Sequence, residues 1–333
     1  MKSLATLSRR AAALFALGLL AGSAIAAEPY PSRPVKLMVP YPAGGLSDAI
    51  ARVFSQPLSK QLGQPVVVEN LAGVGGALAA QRVLDTPADG YYVFLGTPNE
   101  LILAPMANAA VKLKSEEFRF VQMVGTLPMM ILARKDLPAN TADELVALAR
   151  NAPKSNPLTF GSVGYGSFYH LMGDHMAQTI GAPMTHVPYK GGAPLLMDLS
   201  GSLLDFVIFP VSQQQLAMAQ QGHIKIIAGL DAKRSQLPAL KNIPSVDEGK
   251  ALKGFNFSFW TGYFVRKDTP EEVVQRIGKA LNAVLSDANV RNTLEAQNVV
   301  PSQSQSFDEL SKIYQTEITR FRTIAKSIKL QPQ

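Results

Sequence analysis

Val35-Lys36-Leu37-Met38-Val39-Pro40-Tyr41-Pro42-Ala43-Gly44-Gly45-Leu46-Ser47-Asp48 decides the fold. Val35–Val39 is apolar apart from one lysine and reads as a short strand. Prolines and glycines then break the chain, and an amphipathic pattern from Asp48 to Leu62 reads as a helix. Ser47 stands where an N-cap belongs, and Gly63 where a C′ glycine belongs. A strand that opens through a glycine loop into a helix is the repeating unit of an α/β sheet.

Working outward, the same alternation continues. Further strands are expected at Val66–Glu69, Tyr92–Leu95, Phe118–Val124, Met129–Ala133, Leu158–Phe160, Leu204–Phe209, Ile224–Ala228 and Ser258–Val265. Helices are expected at Ala77–Leu84, Ala142–Arg150, Ser167–Ile180, Glu271–Leu285 and Phe307–Ile324. Thr141 and Glu144 form a capping box, Ser167 and Gly181 bracket another helix, and Thr269-Pro270 opens a third with proline at N1. The expectation is parallel sheets covered by helices on both faces, with ligands at the carboxyl ends of the strands. No Pro/Gly/Ser-rich linker divides the chain, so two lobes would be joined by crossing strands. Phe118–Ala133 and Phe257–Val265 are the crossing candidates. The boundaries expected are 27–125 with 254–333 for the first lobe and 126–253 for the second.

The first residues carry an address. Lys2, Arg9 and Arg10 precede the apolar run Ala11–Leu20, and Ala24-Ile25-Ala26 fits a signal-peptidase site, so residues 1–26 are expected to be cleaved. Removing those three basic residues reduces the formal charge of the 333-residue chain from +7 to +4. The remaining basic residues are scattered without aromatic interleaving, which argues against nucleic-acid binding. The sequence contains no cysteine, excluding a lipid-modified N-terminal Cys, disulfides and thiolate metal sites.

Four glycine-containing loops precede helices: Pro42–Asp48, Ala72–Gly76, Gly161–Ser167 and Lys190–Ala193. Glycine allows close approach to main-chain N–H groups, and a helix start adds unpaired donors and a positive dipole end, so such loops suit anions. A tight turn with a helix cap is the plainer reading of any one of them. Asp48 either complements the helix dipole, orders the Gly44-Gly45 loop or binds a ligand donor. Lys190 is either a cleft cation or a solvated loop residue, and Asp205, in an apolar stretch, braces cleft loops from behind. The histidines are His170, His175, His186 and His223. His170 reads as helix-buried and His186 as packing. Gly164–Phe168 lacks the order of a nucleophile elbow, and neither a dinucleotide fingerprint nor a phosphate loop is present. No catalytic residue, metal site or cofactor is expected.

At these loops the chain resembles the Bug-type, or TctC-type, extracytoplasmic solute receptors of tripartite tricarboxylate transporters. The resemblance is carried by Tyr30–Val35, Val39–Gly45 with Asp48, Val68-Glu69-Asn70 and Asp89-Gly90-Tyr91. It continues through Gly161–Ser167 with His170-Leu171, His186–Gly191, Trp260 with Gly262, and Thr269-Pro270. It implies a type II-like periplasmic-binding-protein flytrap: two doubly wound α/β lobes with a ligand cleft between them. It implies a soluble periplasmic monomer, not an enzyme, that captures a small mono-, di- or tricarboxylate and docks transiently on membrane permease subunits. Carried over residue by residue, the contacts would be Tyr41, Ala43, Gly44, Gly45, Ser47, Asp48, Thr97 and Asn99. From the second lobe they would be Ser162, Gly164, Tyr165, Ser167, Lys190 and Asp205. Leu71-Ala72, Tyr92, Val163 and Tyr165 depart from the family pattern. Tyr165 with Tyr41 and Phe168 suits an aromatic or bulky acid, or a water-filled cleft. A ligand-presenting receptor for a sensor kinase and a cleft hydrolase are the alternatives.

Overall fold

A computed structural model describes residues 30–333, of which 33–333 form one unit. The expected signal segment, 1–26, lies outside the described residues. In chain order the first elements are β1 Val35–Val39, α1 Leu46–Leu62, β2 Val66–Asn70, α2 Ala77–Leu84, β3 Tyr92–Gly96 and α3 Ala104–Ala107. A π-helical turn, Asn99–Leu103, leads into α3. Next come β4 Phe118–Leu127, β5 Met129–Arg134, α4 Ala142–Asn151, β6 Thr159–Ser162, α5 Phe168–Ile180 and β7 Thr185–Pro188. Then follow α6 Gly192–Ser200, β8 Phe206–Pro210, α7 Gln213–Gln220, β9 Ile224–Gly229 and β10 Phe259–Arg266. The chain closes with α8 Glu271–Leu285, α9 Ala288–Ala296, β11 Val300–Pro301 and α10 Phe307–Ser327.

These strands build two sheets, one in each lobe, ordered β11-β4-β10-β3-β1-β2 and β7-β6-β8-β5-β9. The expectation of parallel sheets needs correction. β2, β1 and β3 run parallel, as do β7, β6 and β8, but β10 and β5 run antiparallel to their neighbours. The reason lies in how the chain changes sheet. β4 ends at Leu127, and β5 starts at Met129 opposite Pro210, the carboxyl end of β8. A strand entering the second sheet at the end where the others leave must run backwards. β10 re-enters the first sheet in the same way, with Gly262 paired to Gly96 at the end of β3.

The helices cover the sheets as amphipathic patterning requires. α1 packs on α8 and α9, and α10 lies along β4. The aromatic cluster of Trp260, Phe120, Phe264 and Tyr314 fills the space between β4, β10 and α10. Phe168, at the start of α5 in the second lobe, packs edge-on against Phe259 and Phe321 of the first. No helix among the described residues is long and apolar enough to cross a membrane.

Candidate functional site

All four glycine loops meet at one cleft. Six parallel-strand ends contribute: β1, β2 and β3 from one sheet, β6, β7 and β8 from the other. Between them lie two adjoining cavities of about 490 and 640 Å³, which share Tyr41, Asn99, Val163 and Gly192.

The loop after β1 folds back on Asp48. The Gly44 N–H and the Arg52 guanidinium both donate to Asp48 Oδ2, at 2.9 and 2.8 Å. Arg52 foremost, with the Gly44 N–H, holds this buried carboxyl below its ordinary range. Asp48 thus orders the loop. The tight turn also moves the helix start. Gly45, extended at φ −81° and ψ 173°, is the N-cap, and Leu46 is already helical. Ser47 therefore lies in the first turn, a correction to its expected capping role. Glycine has no side chain to accept a first-turn N–H, so the start of α1 carries no side-chain cap. Leu46 and Ser47 line the first cavity.

The start of α6 faces the same cavity from the other sheet. Its N-cap, Gly191, sits at φ 135° and supplies no side-chain acceptor, and Gly192 and Ala193 line the cavity. Two bare helix N-termini, one from each lobe, thus border one space. Its walls are otherwise largely apolar, with Ile50, Leu127, Tyr169, Leu196, Phe209 and Phe259 prominent.

After β3, Asn99 reaches across the cleft, where its Oδ1 accepts the N–H of Phe168 at 3.0 Å. Behind it, Glu100 accepts three hydrogen bonds. The Thr97 N–H donates to Oε1 at 2.8 Å, while the hydroxyls of Thr97 and Tyr41 donate to Oε2 at 2.7 and 3.0 Å. The sequence reading missed Glu100. Its signal was an acid directly before the apolar run Leu101-Ile102-Leu103, one residue beyond Asn99.

The loop after β6 is internally bonded. Ser162 Oγ bonds to the Gly164 carbonyl at 2.9 Å and lies 2.7 Å from His186 Nε2. Ser167 caps α5 and donates to the Gly164 carbonyl at 2.8 Å. Gly166 donates its N–H to Nδ1 of the buried His170 at 3.0 Å, and that ring stacks on His186 and meets Tyr165 at a tilt. Burial first, and then the neighbouring His170, lower the His186 pKa to about 4, which keeps its imidazole neutral.

Tyr41, Gly45, Ser47, Thr97 and Asn99 therefore line the first cavity, while Gly164, Tyr165, Ser167 and Lys190 line the second. Lys190 is the one basic side chain among the described residues lining either cavity. Ala43, Gly44, Asp48 and Ser162 belong to the loops but line neither cavity. Asp205 is a correction. It precedes β8, at the amino end of the strands, where it accepts from Arg134 Nε at 2.9 Å and from the Thr159 N–H at 2.8 Å. Its carboxylate holds the far end of the sheet together. Asp205→Ala should leave ligand affinity unchanged while lowering stability by about 1–3 kcal/mol, read from the urea midpoint.

Sequence reasoning also missed Phe209, Gln214, Gln215, Phe259 and Thr261, which line the first cavity from β8, α7 and β10. No group of three metal-ligating side chains occurs among the described residues.

Comparison with known proteins agrees with this architecture. The profile of the family described as TctC, tripartite tricarboxylate transporter family receptor, matches residues 50–330. A UPF0065 protein from the TAR-I ttuE-ttuC' intergenic region of Agrobacterium vitis is 36% identical over 297 residues, covering 88% of this chain and 83% of its own. Among solved structures, R. palustris Rpa4515 with adipate aligns with a TM-score of 0.79 and 28% identity, over 91% of this chain and all of that one (100%). The periplasmic binding protein BugD aligns at 0.76 with 29% identity, over 91% and 100% of the two chains. MatC of Rhodopseudomonas palustris with bound malate aligns at 0.74 with 26% identity, over 89% and 99%.

Proposed function

We propose that this chain, which belongs to the tripartite tricarboxylate transporter receptor family, captures a small carboxylate in its cleft and delivers it to a membrane permease of the tripartite tricarboxylate type. Members of the family are periplasmic solute-binding receptors rather than enzymes. On this reading residues 1–26 direct export and are removed, and the lobes, 27–125 with 254–333 against 126–253, close on the ligand as a monomer.

The observation that carries the carboxylate reading is the pair of glycine-capped helix starts, Leu46-Ser47 and Gly192-Ala193, facing one cavity with apolar walls. Each helix terminus contributes ~0.3–1 kcal/mol toward an anion, rising to about 2 when partly buried. Micromolar affinity needs about −8 kcal/mol, so direct N–H hydrogen bonds must add to the dipoles. No basic side chain among the described residues lines that cavity, so main-chain donors are the charge-complementary groups it offers. Two such ends joined by apolar wall suit a dicarboxylate with a short hydrocarbon spine. Adipate, bound to one relative, and malate, bound to another, are both dicarboxylates.

A thermal-shift screen of residues 27–333 against C4 to C6 diacids, citrate, aromatic acids and acidic amino acids tests the reading. A ligand at 100 times its Kd adds ~2.7 kcal/mol and moves the midpoint by several degrees. A flat response across the panel contradicts the proposal. Leu46→Pro gives a sharper local test. Proline is tolerated at N1, and the extended Gly45 already has the backbone of a residue that precedes proline. The substitution deletes one N–H. Affinity should fall roughly tenfold or more, the worth of a hydrogen bond to a charged group, whereas Leu46→Ala, which keeps the N–H, should stay within a few fold.

A further inference from the structure

Glu100 is fully buried, yet its hydrogen-bond partners are all neutral: the Thr97 N–H, the Thr97 hydroxyl and the Tyr41 hydroxyl. It sits in a π-helical turn, a rare geometry that recurs at functional sites. The second glycine loop is built around it, for a Cβ on Gly76 would lie 2.9 Å from the Cβ of Glu100. The titratable groups facing it from the packed elements are Tyr41 after β1, Tyr169 on α5 and Tyr314 on α10. Burial raises all three phenols, so each remains neutral near pH 7. An ionised carboxylate held only by neutral donors carries a desolvation cost that no cation offsets. Burial accordingly raises Glu100 to about 7, against the opposing pull of its Thr97 and Tyr41 hydrogen bonds.

Its two hydroxyl partners belong to residues that line the first cavity. While Glu100 is ionised, both hydroxyl protons are directed at Oε2 and neither is available to a ligand. A protonated Glu100 carries a donor of its own and accepts less strongly, which frees one hydroxyl proton. We propose that Glu100 couples carboxylate capture to proton uptake: an anion in the first cavity drives protonation of Glu100, and the hydroxyl so released becomes a donor to that anion. Glu100 is thus a positioning residue acting through Tyr41 and Thr97. The inference rests on the carboxylate-capture reading and adds to it that one proton, taken from solvent, accompanies the ligand.

The sign follows from linkage. A neighbouring anion disfavours the ionised form, so Glu100 has a higher pKa in the complex than in the free protein. The complex then binds more protons, and affinity falls as pH rises through the interval between the two values. For one proton the limit is about tenfold in Kd per pH unit.

Isothermal titration calorimetry of residues 27–333 tests this with adipate, malate, succinate, glutarate and citrate in phosphate and in Tris, whose ionisation enthalpies differ. For the tightest binder, the apparent heat should depend on the buffer, reporting uptake of up to one proton. Its Kd should weaken by up to about tenfold per pH unit from about pH 7 to 9. E100Q, which keeps a neutral donor and acceptor in place, should bind with no buffer dependence and a flat pH profile over that range. Buffer-independent heat and a flat profile in the wild type overturn the proposal, as does E100Q binding that keeps the wild-type pH slope. A merely structural role would weaken E100Q equally at every pH. Should E100Q not fold, a 13C carboxyl titration of Glu100 in the wild type decides, with a higher pKa in the complex supporting the proposal and an unchanged one overturning it. Binding without proton uptake sinks this inference alone. No binding by any of the five acids sinks it together with the capture reading.

Discussion

Gly166→Val should lower carboxylate affinity by roughly two orders of magnitude or more while leaving the far-UV circular dichroism native-like. Gly166 lies at φ +74°, and a Cβ there would stand 1.8 Å from the Cβ of Ala107. The left-handed backbone alone costs a non-glycine residue about 1–2 kcal/mol. The collision matters more, because Ala107 ends the helix that follows Asn99 in the first lobe, whereas Gly166 belongs to the loop after β6 in the second. A side chain at this contact wedges the lobes apart where Asn99 bonds to Phe168. A ligand that binds the closed form must then first recover the closure it has lost. Pairing Gly166→Ala with Ala107→Gly restores the space but not the backbone preference, so affinity should return in part. Calorimetry of the three proteins checks this, and unchanged affinity in Gly166→Val would show that closure does not pass through this contact.

The second large effect is on stability. Phe168→Ala should lower unfolding free energy by about 3–5 kcal/mol, as expected for a large aromatic removed from a close-packed core. The ring is fully buried, with Phe259 of β10 and Phe321 of α10 edge-on at centroid distances of 5.0 and 5.9 Å. The residue thus pins a helix of one lobe to a strand and a helix of the other. Phe168→Leu, which retains most of the apolar volume, should lose clearly less. Urea unfolding of the two variants measures the difference. A loss below about 1 kcal/mol for Phe168→Ala would mean that the junction relaxes around the cavity.

The alternation of strands and helices was legible because buried strands of an α/β sheet read as short apolar runs, as at Val35–Val39 and Tyr92–Gly96. β7 escaped notice because it is an edge strand. Thr185-His186-Val187-Pro188 is partly exposed and polar, so no apolar run marks it. α7 escaped because Gln213–Gln220 is rich in glutamine, whereas α6 was anticipated as the helix after the Lys190–Ala193 loop, without its bounds.

At the site, the glycine loops were legible one by one, but their convergence was not, since it depends on which strand ends share a side. Asp205 was a misreading. Its apolar surroundings marked it correctly as an acid that needs partners, but as the second residue of the expected strand Leu204–Phe209 it already stood at the amino end, away from the ligand side. Glu100 shows the opposite failure. Its neighbours Thr97 and Asn99 were expected at the site by resemblance, while the acid one residue on, which holds the Thr97 and Tyr41 hydroxyls, was passed over.

The central claim is that main-chain N–H groups at two facing helix starts grip the ligand's carboxylates. A crystal structure of residues 27–333 with the diacid that gives the largest thermal shift tests it most directly. The account predicts carboxylate oxygens within hydrogen-bonding distance of the N–H groups of Leu46 or Ser47 on one side and of Gly192 or Ala193 on the other. A ligand seated elsewhere, or one whose carboxylates are held by side chains with both helix starts left to water, would contradict it.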